Sequence, residues 1–555
     1  MQSTCSKHIQ LLGIHMIRTG TRYRKKKAAE HYDVIVIGSG IGGLTNAALL
    51  SKLGKKVCVL EQHYTAGGYT HAYEREGYEW DVGVHYVGEV HKPYTRLRKV
   101  FDVITNGNLE WEEMDSLYDQ IVIGEDYYDF KAGKENFVEE MKFRFPEEAD
   151  AIDTYIELLY ETSSLVPKFF AGQALPKTAG AIYNRFKDKL LPSFMFKTTY
   201  EVLSELTDNK QLIAVLTAQW GDYGLPPKKS AFVMHAMVAK HYLGGGAYPV
   251  GGAARIAETI IPVIQESGGE VFTYAGVDKV LVKNNRAYGV RLSKGGEIMA
   301  DAVVSCAGLV PTINKLLPEE SVKKHGYDKL VKTVKTSSAH LCIYAGFKGT
   351  AEELDIPKKN FWIYPGYDHD KSLGDFEKSK DYDFPLVYIS FPSAKDPTWD
   401  ERYPNKSTVE IVTVCKTEWF EQWQGTTWGK RGEDYEKLKA DLTDRLMQVL
   451  YKQMPQLEGA LDYVELSTPL STQWFQWNEG GEIYGIEHDP SRFKQSWIHP
   501  KTEIKNFYLT GSDVLTAGIG GALMGGVMTT MTMMGLKAGK VTEVLKRGVV
   551  ERTNA

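Results

Sequence analysis

A glycine-rich turn near the N-terminus has the residue types and spacing to bind a diphosphate. It reads Gly38-Ser39-Gly40-Ile41-Gly42-Gly43 and directly follows the β-branched segment 33–37. Gly38 permits the tight turn, Gly40 lets the backbone approach a pyrophosphate, and Gly43 lets the following helix pack closely on the strand. The N-terminus of that helix offers free N–H groups and a positive dipole end to the phosphates. The turn therefore predicts a dinucleotide-binding strand, turn and helix.

A carboxylate at the correct distance makes this prediction specific. Glu61 lies 18 residues after Gly43, at the end of a second predicted strand, residues 56–60. In dinucleotide-binding folds an acid at this place bonds the ribose hydroxyls. The alternative is a glycine turn without a ligand, but such a turn needs neither the flanking strands nor the acid. Which dinucleotide binds is open at this point.

Composition describes an ordinary globular protein. The chain has 555 residues, of which 43% are hydrophobic and 25% charged, and its net charge is -5. The length exceeds a single core, and the charge gives no reason to expect a nucleic-acid partner. The five cysteines (Cys5, Cys58, Cys306, Cys342 and Cys415) are scattered and form no CxxC. This spacing predicts neither a disulfide framework nor a metal site, and it favours a reducing compartment.

Residues 1–30 are basic and lack acids before Glu30. We expect a disordered N-terminal arm, with Met16 as an alternative translation start. Organellar targeting by this arm stays open, but no apolar core of a secretory signal is present.

Further glycine motifs bear a resemblance to a known group. After Glu61 come Gln62, the pair Gly67-Gly68 with Tyr69, and the segment Asp81-Val82-Gly83-Val84-His85-Tyr86. With the N-terminal fingerprint, these motifs resemble the amine oxidase and phytoene desaturase group of FAD enzymes. The resemblance implies that the dinucleotide is FAD. It implies FAD contacts from the N-terminal region at Gly38, Gly40, Ile41, Gly42, Gly43, Glu61, Gln62, Gly67, Gly68 and Tyr69.

Two internal segments resemble the returns to the nucleotide domain in that group. Residues 241–253 read HYLGGGAYPVGGA and precede a predicted helix and a strand near Val277, which the resemblance places at the adenine. Residues 301–308 read DAVVSCAG and resemble a second strand and turn, with Ala307 and Gly308 at the cofactor. Cys306 is expected to be a buried thiol without a redox role.

The C-terminal region completes the expected cofactor site. Residues 506–528 read NFYLTGSDVLTAGIGGALMGGVM. The resemblance implies that a strand delivers Asp513 to the ribityl hydroxyls and that a helix opened by Gly518, Gly520 and Gly521 directs its positive end at the flavin N1/O2 edge. Gly520, Gly521 and Ala522 are expected to contact the cofactor. Residues 514–536 carry no charge and are long enough to span a membrane, but we expect a buried helix against the cofactor.

The predicted fold class is α/β, with a Rossmann-like FAD-binding domain of the GR2 type interleaved with an α+β substrate domain. We assign residues 31–104, 236–310 and 495–555 to the FAD-binding domain, and 105–235 and 311–494 to the substrate domain. Strands near 339–346, 385–391 and 408–415 predict an antiparallel sheet there. Residues 163–200 are basic and aromatic. Two interpretations stay open, a helical cap in contact with a membrane or a cap whose aromatic residues face the core.

The set of motifs is similar to the retinol saturase, carotenoid isomerase and bacterial phytoene desaturase branch. This resemblance implies a hydride transfer between flavin N5 and a carbon–carbon bond of a hydrophobic polyene or fatty-acid substrate. It also implies peripheral membrane association, here expected on the cytoplasmic side. The alternatives are a redox-neutral isomerase that uses reduced FAD, and a non-enzymatic lipid-binding protein on the same scaffold.

Proton transfer requires a polar group opposite the flavin. The main candidates are His85, Tyr86 and Tyr248. His340 and Glu410 are weaker candidates. The glycines of residues 244–252 have no clear strand before them and no partner acid, so a second dinucleotide site is not predicted. A quinone or a protein is therefore the expected electron partner.

Overall fold

The computed structural model describes residues 19–25, 28–175 and 177–550. Its strands are β1 Thr21–Arg22, β2 His31–Ile37, β3 Val57–Leu60, β4 Ala72–Arg75, β5 Tyr78–Asp81, β6 Val87–Gly88, β7 Trp111–Glu113, β8 Leu117–Ile123, β9 Asp126–Lys131, β10 Gly246–Pro249, β11 Glu270–Thr273, β12 Val277–Lys283, β13 Arg286–Leu292, β14 Glu297–Ser305, β15 Ala339–Lys348, β16 Asn360–Tyr364, β17 Val387–Ser390, β18 Lys406–Cys415, β19 Leu461–Ser467 and β20 Phe507–Leu509.

The α-helices lie between groups of these strands. They are α1 Ile41–Lys52, α2 Arg96–Ile104, α3 Lys134–Arg144, α4 Ala149–Phe169, α5 Ala171–Ala174, α6 Lys177–Leu190, α7 Thr199–Leu203, α8 Lys210–Leu216, α9 Phe232–Tyr242, α10 Ala254–Gln265, α11 Leu309–Pro311, α12 Glu319–His325, α13 Tyr327–Leu330, α14 His369–Lys378, α15 Pro392–Lys395, α16 Trp399–Arg402, α17 Glu433–Gln453, α18 Pro469–Gln476, α19 Gly518–Met534 and α20 Gly539–Val550.

The first sheet is the predicted Rossmann-like sheet. Its order is β1-β11-β3-β2-β14-β13-β12, and β20 pairs with the second half of β14. The strands from β1 to β14 run parallel, whereas β14, β13 and β12 form an antiparallel meander. A parallel strand covered on both faces must be apolar, which explains the run of valine and isoleucine in β2. The α/β class predicted from the sequence is confirmed.

The second large sheet has the order β19-β15-β18-β17-β16-β8-β9. It is antiparallel as predicted except at one place, where β16 and β8 run parallel. A three-stranded sheet, β6-β10-β7, and the hairpin β4-β5 complete the strands. The first sheet draws on residues 21–60, 270–305 and 507–509, and the second on 117–131 and 339–467, so the two sheets interleave along the chain. The domain boundaries themselves stay predictions.

Part of the expected N-terminal arm is ordered in the structure. Thr21–Arg22 extends the first sheet beside β11, and Thr19 N donates a hydrogen bond to Thr65 Oγ1. The expectation of disorder is therefore wrong for residues 19–25, because an edge strand can pair through its backbone whatever its side chains. Residues 1–18, 26 and 27, including Met16, lie outside the described residues.

The uncharged C-terminal segment forms α19 and packs against α1. By length and composition the stretch Gly518–Lys537 is one helix that could cross a membrane. Gly525 and Gly526 instead bring it close to two backbones: a Cβ on Gly525 would lie 2.6 Å from Gly511 O, and one on Gly526 would lie 2.5 Å from Gly42 O. Asn46 Nδ2 on α1 also donates to Thr530 Oγ1 at 2.9 Å. Small residues are thus required at this contact because the backbones nearly touch.

The helical cap over residues 163–200 separates into a buried and an exposed part. Phe169 and Phe170 are buried and pack with Leu191, Met195 and Phe493, as the core interpretation predicted. On α6, however, Ile182, Phe186 and Leu190 are 64%, 46% and 62% exposed. Their spacing of four residues places them along one face of the helix.

Candidate functional site

The glycine turn joins β2 to α1 as the sequence predicts. Gly38 has φ +92°, a left-handed value that favours glycine. A Cβ on Gly43 would overlap Gly38 O, so Gly43 is needed for the close packing of helix and strand. A Cβ on Gly40 would meet only Cys306 Sγ, at 4.0 Å. Gly40 therefore keeps space free on the side of the turn that a pyrophosphate would approach.

Glu61 lies at the end of β3, across from this turn. Its Oε2 accepts hydrogen bonds from Ser39 N at 3.0 Å and Ser39 Oγ at 2.7 Å, and its Oε1 accepts from His63 N at 2.8 Å. These bonds fix a buried carboxylate next to the helix N-terminus. The position suits a ribose hydroxyl rather than a phosphate, because a carboxylate repels anions.

A single cavity of about 770 Å³ extends from the turn into the second sheet. The predicted cofactor residues that line it are Gly38, Gly40, Ile41, Gly42, Glu61, Gln62, Gly67, Gly68, Tyr69, Val277, Ala307, Gly308, Asp513, Gly520, Gly521 and Ala522. Gly43 does not line the cavity, but its lack of a side chain lets α1 pack against Gly38 of the turn. The structure thus brings together segments that are up to about 480 residues apart in the sequence.

The C-terminal part of the cavity is built by Asp513 and the start of α19. Asp513 Oδ2 accepts from Leu309 N at 2.7 Å, and Oδ1 accepts from Ile486 N at 3.0 Å. A Cβ on Gly521 would overlap Thr516 O, so the first turn of α19 admits no side chain there. The N-termini of α1 and α19 therefore both open on the cavity, each flanked by a buried acid. This arrangement fits a dinucleotide whose diphosphate lies at the N-terminus of α1. The N-terminus of α19 would then stabilise negative charge on the ring at the other end of the dinucleotide.

Arg492 and His488 hold the loop before α19, and sequence reasoning missed both. The Arg492 guanidinium is buried and donates to five acceptors: Ile486 O, His488 Nε2, Ser512 O, Asp513 O and Leu515 O. Burial lowers the pKa of Arg492 to about 10. His488 Nε2 also accepts from Ala517 N, the residue before α19, at 2.8 Å. A lone arginine in a polar loop carries no signal in the sequence.

His85 lines the cavity and is paired with Glu410. His85 Nδ1 and Glu410 Oε2 lie 2.8 Å apart, although their alignment is off that of a linear hydrogen bond. Burial raises the pKa of Glu410 to about 8, and burial together with the Lys395 charge lowers the pKa of His85 to about 3. Each shift penalises a buried charge, so near neutral pH Glu410 is held protonated and His85 neutral, and the pair carries no net charge.

The other predicted catalytic residues have different positions. Tyr86 lines the cavity, and its hydroxyl donates to Asp119 Oδ2 at 2.8 Å. His340 also lines the cavity, and burial lowers its pKa to about 4. Tyr248 does not line the cavity: its hydroxyl donates to Asp81, which also accepts from Ala253 N. Tyr248 is therefore withdrawn as a proton donor, because its hydroxyl ties β10 to β5 behind the cavity wall.

Comparison with known proteins gives a close match over most of the chain. Residues 36–104 match the NAD(P)-binding Rossmann-like domain family. The chain is 37% identical over 520 residues to an all-trans-retinol 13,14-reductase of Danio rerio, a match that covers 90% of this chain and 85% of that protein. The protein of the same name in Homo sapiens is 36% identical over 532 residues, with coverage of 92% and 87%. The chain belongs to the all-trans-retinol 13,14-reductase family.

More distant proteins resemble this member of the retinol 13,14-reductase family. A Danio rerio relative named inactive all-trans-retinol 13,14-reductase is 34% identical, covering 92% of this chain and 87% of that protein. A prolycopene isomerase of Daucus carota is 26% identical over 493 residues, covering 82% of this chain and 72% of that protein. Among solved structures, a putrescine oxidase superimposes with a TM-score of 0.59 at 14% identity, covering 91% of this chain and 99% of that chain. That structural likeness shows the shared fold.

This member of the retinol 13,14-reductase family also contains a buried lysine that the sequence did not reveal. Lys395 Nζ donates to His85 O at 3.0 Å, Asn360 Oδ1 at 2.5 Å and Ser390 Oγ at 2.7 Å. Burial lowers its pKa to about 7. All three donors of the ammonium group are thus used, and one of them holds the backbone of the cavity segment that carries His85 and Tyr86.

Proposed function

We propose that this chain is an FAD-dependent oxidoreductase that saturates a carbon–carbon double bond of a retinoid or a related polyene. By its family the chain is an oxidoreductase of carbon–carbon double bonds, with double-bond isomerisation as the alternative. The observation that carries the proposal is the single cavity, which runs from two helix N-termini into a section lined by methionine and aromatic residues. A long apolar substrate suits such a section, because burial of its surface supplies the binding energy.

The FAD assignment is supported by the residues at both ends of the nucleotide site. The α1 N-terminus would bind the diphosphate, Glu61 the ribose, and Asp513 the ribityl hydroxyls. FAD supplies the hydride donor or acceptor when it is bound. The test is to extract the cofactor from purified protein with acid and identify it by chromatography. FAD in about equimolar amount is expected, and recovery of NAD or of no nucleotide would refute the assignment.

Saturation of a double bond needs a proton as well as a hydride. His85 lines the cavity and lies 2.8 Å from Glu410, which burial keeps protonated near neutral pH. Lys395 fixes the backbone of this segment, and the stacked rings of Tyr86 and Tyr242, 4.2 Å apart, restrict its movement. We infer that His85 donates its ring proton to the substrate carbon while it takes up the Glu410 proton, so that the imidazole stays neutral and Glu410 is left ionised. Incubation with reductant and all-trans-retinol should give a product two mass units heavier, and a His85→Ala variant should form it far more slowly.

The second candidate is a redox-neutral isomerase, which the likeness to a prolycopene isomerase favours. An isomerase would give a product of unchanged mass and would leave the reductant unspent. The same incubation distinguishes the two, because the mass of the product is read directly.

We further propose that the protein associates peripherally with a membrane through α6. The exposed residues Ile182, Phe186 and Leu190 form an apolar stripe beside the exposed Arg185 and Lys189, a composition that suits an anionic lipid surface. The neighbouring helices α4 and α5 are joined at Phe170, which lines the cavity together with Ala174, so this face lies near a route for an apolar substrate. We propose that this contact is made on the cytoplasmic side of the membrane. We also propose that a quinone or a protein is the electron partner.

A further inference from the structure

One section of the cavity is walled by aromatic side chains, and we call it the tyrosine chamber. Its walls are the cavity-lining residues Tyr86, Tyr242, Trp362, Tyr388 and Tyr484. Tyr86 stacks on Tyr242 with ring centroids 4.2 Å apart and lies 6.3 Å from Tyr388, and Trp362 lies 4.5 Å from Tyr388. Rings in contact with one another form a rigid and largely apolar wall. A carboxyl group buried in such a wall therefore requires a hydrogen-bond partner or a function.

A carboxyl group, that of Asp222, lies in this wall. It ends the 3-10 turn Ala218–Asp222 and lines the cavity. The turn is held on both sides: Gln219 Nε2 donates to Asp119 Oδ2 at 2.9 Å, and Gly221 O accepts from the Tyr484 hydroxyl at 2.8 Å. A Cβ on Gly221 would lie 2.6 Å from the Trp362 ring, so the turn packs directly on the wall. The position of Asp222 is thus fixed by the fold.

The two carboxyl groups near the chamber differ in their hydrogen bonds. Asp119 is saturated: Oδ1 accepts from Asn360 at 2.8 Å, and Oδ2 accepts from Tyr86 and Gln219. Asp222 Oδ2 is buried and has no partner among the described residues. The protein itself supplies the hydrogen bonds that a buried Asp119 needs, whereas the described residues supply none to Asp222 Oδ2.

Two further polar atoms of the chamber are poorly hydrogen-bonded. The Trp362 N–H faces the Asp119 carboxyl and the Tyr388 hydroxyl faces Ser390, but within the described part of the chain neither atom reaches good hydrogen-bond geometry, although their residues are only 2% and 5% exposed. A buried polar group without a partner costs stability, and native proteins leave few of them. The unpartnered Asp222 oxygen, together with two poorly bonded polar atoms on residues that line the same chamber, indicates that a polar atom of a ligand completes this group.

Protonation of Asp222 suits a neutral ligand. Burial, followed by the charge of Asp119, raises the pKa of Asp222 well above its ordinary value. The protonated carboxyl can both donate and accept a hydrogen bond, as a hydroxyl can. A neutral acid in an apolar wall neither attracts nor requires a cation.

We propose that Asp222, with Tyr388 and Trp362, binds the hydroxyl end group of the substrate and so selects a polyene alcohol over a polyene hydrocarbon. The inference rests on the proposed function, because it takes the substrate to be a polyene. A hydroxyl bound in the chamber fixes how far the chain reaches along the cavity. Asp222 would therefore set which double bond lies at the reactive position, without itself taking part in the reaction.

The test compares the binding of all-trans-retinol with that of its deoxy analogue, in which hydrogen replaces the hydroxyl. Binding to the oxidised, flavin-loaded protein is followed by quenching of tryptophan fluorescence, which needs no turnover. The parent protein should bind the alcohol about tenfold or more tightly than the hydrocarbon. Asp222→Leu should abolish this preference by weakening the alcohol alone. Asp222→Asn should keep most of it, and Tyr388→Phe should reduce it by a smaller factor.

Each result has a distinct meaning. Loss of the preference in Asp222→Leu and its reduction in Tyr388→Phe, with the hydrocarbon bound as in the parent, would establish the hydroxyl site. A parent protein that binds both polyenes equally would overturn it and leave the proposed function intact. A parent that binds neither would overturn both proposals. If Asp222→Leu keeps the preference but loses turnover, the hydroxyl site is refuted in favour of proton transfer by Asp222.

Discussion

At the scale of single residues, the glycine turn makes the sharpest prediction. Gly40 has φ -59° and ψ 163°, which valine tolerates, and a Cβ there would meet no atom of the described chain closer than Cys306 Sγ at 4.0 Å. We expect Gly40→Val to leave the melting temperature of the flavin-free protein unchanged but to abolish flavin retention. Absorbance at the flavin band and thermal unfolding measure the two effects.

The neighbouring glycine provides the contrast. Gly43→Ala would overlap the Gly38 backbone, so it should lower the free energy of unfolding by about 1–3 kcal/mol even without cofactor. Gly374→Ala on α14, where no atom lies within 4 Å of the new Cβ, is the control, and it should raise the unfolding free energy by up to about 1 kcal/mol because alanine favours a helix more than glycine does. A yellow, fully loaded Gly40→Val protein would contradict the assignment of the turn to a pyrophosphate.

Glu410 predicts a pH dependence of stability. Its pKa is about 8 in the folded protein and near its ordinary value of 4.5 when unfolded, so the folded state binds the extra proton between these values. The stability it contributes is therefore full below pH 4.5 and is lost as the pH rises through 8. In Glu410→Gln this loss is absent.

The difference in unfolding free energy, Glu410→Gln minus parent, should thus rise from pH 5 to pH 8 by up to about 1.4 kcal/mol per pH unit. His85, Asp81 and Lys395 face Glu410, and since they remain in the variant their own contributions largely cancel in the difference. Urea unfolding at both pH values measures it. Parallel pH profiles would show that Glu410 is ionised in the fold and does not store the proton.

Among single residues, the sequence predicts correctly only those that belong to a motif of fixed residue types and spacing. Gly38, Gly40, Glu61 and Asp513 could be predicted because phosphate and ribose contacts require fixed residue types at fixed spacing. Asp222 and Lys395 could not, because each acts through neighbours that only the folded chain brings together. Tyr248 shows the converse, since a residue in a suggestive motif turned out to bond Asp81 instead.

At the scale of elements, Arg492 fixes the loop between the segment near Ile486 and α19. We expect Arg492→Met to lower the unfolding free energy by about 3 kcal/mol or more, since several charge-assisted hydrogen bonds to the buried loop are lost. Flavin retention should fall with it, because Asp513 and the start of α19 lie in this loop. Arg492→Lys should not restore either property, since lysine lacks the planar fork.

Arg255→Met is the matched control, because its exposed ion pair with Glu258 contributes little. Chemical unfolding and flavin content would be measured on all three variants. Full flavin content at unchanged stability in Arg492→Met would contradict the role assigned to this loop.

The element α6 carries the membrane proposal. We expect the double variant Ile182→Ser and Phe186→Ser to release the protein from anionic liposomes, because the exposed stripe would lose most of its apolar surface. The unfolding free energy should hardly change, since both side chains are exposed. Liposome flotation measures the release.

Phe169→Ser and Phe170→Ser form the contrasting pair for this helix region. Both residues are buried in the cap, so their replacement should destabilise the protein by about 3 kcal/mol or more without a specific effect on lipid. Unchanged flotation of the α6 variant would refute the membrane contact there. The aromatic residues of 163–200 could not be divided into these two groups from the sequence, because core and lipid-facing positions have the same composition.

At the scale of the whole molecule, the interleaving of two sheets explains what the chain can do. The Rossmann-like sheet presents helix N-termini for a charged, polar cofactor, and the mainly antiparallel sheet presents apolar and aromatic side chains for a substrate. The sequence predicts the parallel strands β2 and β3 of the first sheet well, because a glycine turn follows β2 and Glu61 follows β3. The order of the second sheet, with its one parallel pair of β16 and β8, depends on pairings across some 240 residues that no local pattern records.

The central claim is that the cavity between the two sheets brings a flavin and a polyene double bond together. The most direct measurement is anaerobic: the flavin-loaded protein is reduced with dithionite, all-trans-retinol is added, and flavin absorbance and product mass are followed together. We predict that the flavin band returns as a product two mass units heavier forms in equal amount. Flavin that stays reduced while a product of unchanged mass forms would contradict saturation and establish the isomerase. Flavin that stays reduced with no product would contradict the account as a whole.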